Sequence, residues 1–141
     1  MTEIDLQTIV VGERRRLGVA VAAGITFCSV LWVAALAAFG PEMSAGTRDA
    51  VFLALFGPVP AAAGGVCGYR YCGYPVAVAA GLAPGVVLAV MVAVIGPLDV
   101  VAFRGGSPAT VVAGALAGIG FIWSTTGFGI GTVVAVLREV R

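Results

Sequence analysis

The sequence has no lysine and no histidine, and charged side chains make up only 11% of its 141 residues. A soluble domain carries roughly 25% charged residues to clothe its surface, so a water-facing globule and a disordered tail are both excluded. The eight cations, all arginine, exceed the acids by one. A nucleic-acid surface needs a far stronger basic field, and no nucleic-acid partner is expected. Without histidine, a metal centre would rest on cysteine and carboxylate alone. None of the acids, Glu3, Asp5, Glu13, Glu42, Asp49, Asp99 and Glu139, falls inside an apolar run. Intramembrane carboxylates mark proton relays and ion coupling, so their absence argues against proton-coupled transport of the small multidrug type. An enzyme is not expected, for want of bases and nucleophiles. No catalytic, cofactor-binding or metal-binding residue is assigned.

What is present is apolar: 60% hydrophobic residues and 21 glycines. Crossing a hydrocarbon core of ~30 Å takes roughly 20 largely apolar residues in a helix. The apolar runs are continuous rather than alternating, which favours helices over barrel strands. The sequence therefore predicts an all-α integral membrane bundle of four transmembrane helices, over about 17–39, 50–69, 76–97 and 109–137. Residues 1–141 form one domain in this reading, with 1–16 as a cytoplasmic tail. Arg14, Arg15, Arg16, Arg70, Arg138 and Arg141 flank one side of such a bundle, while Arg48 and Arg104 flank the other. Because basic residues stay on the cytoplasmic side, both termini are expected inside the cell membrane and loops 40–49 and 98–107 outside.

The second span contains Gly57-Pro58-Val59-Pro60. A proline removes a backbone hydrogen bond and clashes with the preceding turn, so this helix is expected to be kinked or broken at Pro58 and Pro60. Pro84 in the third span is a milder case. The last span, Ala109 to Leu137, is longer than the bilayer core and must tilt or bend. Ser124-Thr125-Thr126-Gly127 offers a bending point through hydroxyls bonded one turn back, and Ser107-Pro108 reads as its N-cap. Thr2 and Asp5 have capping spacing ahead of Ile4, Leu6, Ile9 and Val10, which reads as an interfacial helix or as a frayed tail. Arg14-Arg15-Arg16 before an apolar run also resembles a signal peptide, but the run exceeds a signal's usual length.

Around the connection between the second and third spans, Cys67 and Cys72 enclose Gly68-Tyr69-Arg70-Tyr71. They read as a redox pair, half a metal site, palmitoylation sites, or two thiols kept reduced by the cytosol. Tyr69, Tyr71 and Tyr74 suit the headgroup level, and with Arg70 and Arg14 to Arg16 they offer an anionic lipid site at the cytoplasmic face. Trp32 and Trp123 read as interface or packing aromatics. Gly64/Gly68, Gly81/Gly85, Gly114/Gly118 and Gly127/Gly131 have helix-association spacing, although so glycine-rich a chain produces about three such pairs by chance. Their abundance implies close helix packing, within one bundle or between copies. Val19 to Gly24 and Val76 to Gly81 match as VAVAAG, either a duplicated hairpin or convergent composition.

The stretch Phe56 to Tyr69 carries a proline ahead of Gly64-Gly65 and ends Gly68-Tyr69. With Ala77 to Gly85 and the glycine-rich Gly127 to Leu137, it resembles small archaeal multi-pass membrane proteins of a domain family of unknown function. The likeness covers the C-terminal two-thirds; the cysteine pair and weak acidity depart from it, and no activity comes with it. The expected role is a structural, interaction or accessory subunit in the lipid bilayer, as a homo-oligomer or within a larger membrane complex. The alternative is a small-solute channel without proton coupling, lined by Thr26, Ser29, Ser124, Thr125, Thr126 and the backbone at Pro58 and Pro60.

Overall fold

A computed structural model describes residues 12, 14–39, 42–95 and 109–140. The expected tail helix, the Ser107-Pro108 cap and the whole of loop 98–107 lie outside the described residues. The chain is all-α, a four-helix bundle, and each of its four spans is long and apolar enough to cross a membrane. We label the elements α1 (Arg15–Phe39), α2 (Ala45–Phe56), α3 (Pro58–Tyr69), α4 (Tyr74–Ile95) and α5 (Ala109–Glu139). Together α2 and α3 form the second span, Ala45–Tyr69.

Local chemistry explains the boundaries. Ser44 caps α2 by accepting the Thr47 N–H at 3.2 Å, so this helix begins at Ala45, ahead of the apolar run expected from residue 50. The second span is interrupted at Gly57 rather than within the prolines. Its backbone (φ −116°, ψ −89°) is not helical. Even so, its N–H closes α2 on Leu53 O and its carbonyl opens α3 by accepting from Ala61, both at 3.1 Å. The break moves Pro58 and Pro60 into the first turn of α3, where N–H groups have no helical partner in any case. A straight helix would have put both rings in its interior. Pro84, by contrast, sits inside a continuous α4, and α5 is likewise uninterrupted through Ser124–Gly127.

The most extensive helix contact joins α3 to α5, followed by α4 to α5 and α1 to α4, while α1 and α3 barely touch. The core changes character along the bundle. Near the end where α2 lies, large side chains fill it: Val33, Leu55, Phe56, Val87 and Leu88 around Ala113, with Trp32, Phe52 and Met91 against them. Farther along only Ile25, Ala63 and Ala80 are needed, because glycines bring the backbones together. A methyl added at Gly64 or Gly68 would land on the Ser124 or Phe128 carbonyl oxygen of α5. One added at Gly127 or Gly131 would land on the Ala61 or Gly65 carbonyl of α3. Across α4 and α5, Gly81 meets Gly120, and Gly85 meets Ala117. Such backbone contact lets dispersion and weak Cα–H···O interactions hold helices that lipid gives no hydrophobic reason to associate.

Candidate functional site

One end of the bundle gathers the polar residues that the connection around Arg70 had suggested. The chain leaves α3 through Arg70 (φ −98°, ψ 5°) and Tyr71 (φ 53°). Tyr71 N–H bonds Gly68 O at 3.3 Å and Cys72 N–H bonds Cys67 O at 2.9 Å. This pair of bonds around a left-handed residue is a Schellman closure, with tyrosine where glycine is the norm. The left-handed region costs a side-chain-bearing residue roughly 1–2 kcal/mol, so its surroundings hold it there. Tyr71 donates its hydroxyl to Glu139 Oε1 at 3.2 Å, and its carbonyl accepts Arg14 N–H at 3.3 Å. Gly12 (φ 82°) lies so close over Cys72 and Gly73 that any side chain there would strike backbone.

Around this turn, Arg138 donates to the Tyr69 hydroxyl, and the Arg70 guanidinium lies 5.7 Å from the centre of the Tyr69 ring. Tyr74 turns inward, edge-on to Phe128 at 5.5 Å, with its hydroxyl 3.5 Å from Thr125 Oγ1. The expected tyrosine cluster is thus a set of links: Tyr69 and Tyr71 tie the α3–α4 connection to the end of α5, and Tyr74 ties α4 to its middle. Four exposed cations, Arg14, Arg16, Arg70 and Arg138, flank this end against Glu139. Desolvation, then the charge and hydrogen bond of Glu139, raise the Tyr71 hydroxyl above its ordinary pKa. Burial raises the Cys72 thiol, while Cys67, Arg14 and Arg70 pull it partly back.

The hydroxyls suggested as channel lining each have a partner within the bundle. Thr26 and Thr126 are exposed and bond their own helices, at Ala22 O and Ile122 O. Ser29 is buried on Ile25 O at 2.8 Å. Ser124 reaches across to Ala77 O at 2.6 Å, gluing α5 to α4, and Thr125 faces Tyr74. Trp32 is a packing aromatic whose buried indole Nε1 has no hydrogen-bond partner; Trp123 is half exposed. Sequence reasoning missed the Arg138–Tyr69 and Tyr71–Glu139 links, although Arg138-Glu139 ends a span just as Tyr69 and Tyr71 flank one. No protein family, curated protein or solved structure matches this chain.

Proposed function

We propose that this chain is a non-catalytic structural or interaction protein of the cell membrane, working as a homo-oligomer or as an accessory subunit of a larger membrane complex. The observation that carries the proposal is the glycine-to-backbone packing of α3, α4 and α5. At those positions the helix backbones touch one another, and the inward-facing hydroxyls are bonded to carbonyls or to one another. The arginine and tyrosine end faces the cytoplasm in this proposal, with both termini inside, because cations are retained there. Arg14, Arg16, Arg70 and Arg138 hold an anionic lipid headgroup at that face, each contributing about 1 kcal/mol near the surface.

Native mass spectrometry of the chain released from phosphatidylglycerol and from phosphatidylcholine nanodiscs tests both parts. Bound phosphatidylglycerol that falls away in the Arg70→Gln/Arg138→Gln double variant, on particles of more than one copy or with a co-purified subunit, is expected. Monomers with no preference between lipids would overturn the reading. Reporter fusions at residue 72 and at the C-terminus should both be cytoplasmic.

A further inference from the structure

We infer that Cys67 and Cys72 form a reversible intramolecular disulfide, a dithiol site closed by an oxidant of the thiol–disulfide exchange class. The placement comes from the Schellman closure. Its two bonds, Cys72 N–H to Cys67 O and Tyr71 N–H to Gly68 O, bring the side chains of its third-from-last and second-following residues into contact. Those residues are Cys67 and Cys72. Both are fully buried and share one small cluster with Ala77 and Phe128, whereas Cys28 stands exposed on α1. The backbone that sets this contact is held from three sides: by Tyr71 on Glu139, by Arg14 on the Tyr71 carbonyl, and by Gly12 lying over Cys72.

The tightness of the site selects the product. A Cβ built at Gly18 would stand 3.1 Å from Cys72 Cβ, and Gly12 abuts the Cys72 carbonyl. A sulfenic acid or a lasting mixed disulfide adds atoms where there is no space for them. An internal disulfide adds none and removes two hydrogens. In the reaction, the Cys72 thiolate, with Arg14 and Arg70 as its cationic neighbours, attacks a sulfur of the oxidant while Gly12 and Gly18, which cover it, are locally lifted. That step forms a mixed disulfide and releases one thiol. The Cys67 thiolate then attacks the Cys72 sulfur, forming the Cys67–Cys72 bond and expelling the second thiol. The protein loses two protons and two electrons, and the oxidant takes up both electrons to end as two thiols. In a glutathione-buffered cytosol the pair rests reduced, so closure reports an oxidising episode and a dithiol reverses it.

The test uses the full-length chain carrying Cys28→Ser, in detergent micelles, with dithiodipyridine as the oxidant. Two thiopyridones should be released per chain, leaving a product without adduct, two hydrogens lighter, that resists maleimide until dithiothreitol is added. Peptide mapping should place the link between residues 67 and 72. A product retaining a pyridyl adduct on either cysteine, or thiols that react only after unfolding in dodecyl sulfate, would overturn the inference.

Discussion

The two halves of α5 carry the same motif to opposite ends. Gly127 and Gly131 lie against the carbonyls of Ala61 and Gly65, yet a side chain built at Gly114 or Gly118 meets nothing within 4 Å. Nine residues separate Gly118 from Gly127, which is two and a half turns at 3.6 residues per turn, so the two pairs face opposite ways. Gly120, Ser124, Gly127 and Gly131 share the inner face, the last three against α3 or across to α4. Spacing alone does not make a helix interface; the phase of the glycines relative to a partner helix does. The VAVAAG pair teaches the same lesson: Gly24 on α1 has open space around it, while Gly81 on α4 abuts Gly120.

The largest effect expected from this contrast is between two identical substitutions on one helix. Gly127→Ala sets a methyl against the Ala61 backbone, which cannot swing aside, and should cost about 3 kcal/mol or more. Gly118→Ala should change stability by no more than about 0.5 kcal/mol, or raise it by up to about 1 kcal/mol through helix propensity. Unfolding titrations in mixed micelles measure both, and equal losses would remove the distinction between the faces. Next in size is a pair of hydroxyls. Ser124→Ala removes a buried bond between helices and should cost about 1 kcal/mol, while Thr126→Ala removes only an exposed bond to its own helix and should stay within about 0.5 kcal/mol.

A smaller effect separates the two ends of the bundle. Trp32→Phe discards an indole N–H that is buried without a partner, so the lost desolvation penalty offsets the lost ring contacts and the net change should stay within about 1 kcal/mol. Tyr71→Phe should cost no more than about 0.5 kcal/mol at neutral pH. Its signature is alkaline. The hydroxyl's pKa is raised in the fold above 10.0, so this contribution is complete below that pH and disappears as pH rises through the folded value. The wild-type chain should lose stability over that range faster than the phenylalanine variant, in parallel titrations of the two.

The four-span architecture was legible because it rests on run length and hydropathy, which lipid enforces segment by segment. Leu17, Val76 and Ala109 began apolar runs within a few residues of where α1, α4 and α5 begin. The break in the second span was legible in kind from Pro58 and Pro60, but not in place. Its position at Gly57 follows from putting both prolines in a first turn, a relation between neighbouring residues that a proline count does not reveal. Counting glycine pairs against chance hid the inner face of α5, because the count discards helical phase. The links at the arginine end were beyond reach for another reason. Tyr69–Arg138 and Tyr71–Glu139 join residues separated by 69 and 68 positions, and only the packing of α3 on α5 brings them within reach.

That packing bears on how the chain is made. During synthesis Gly64 emerges sixty residues before Ser124, its eventual neighbour. At about 5–20 residues per second, the interval is roughly 3–12 seconds. Throughout it, the glycine face of α3 lacks the α5 backbone it lies against in the finished bundle. α5 therefore completes the packing of the second span, and a nascent chain stalled before α5 would expose that span's glycine face to whatever insertion machinery is at hand.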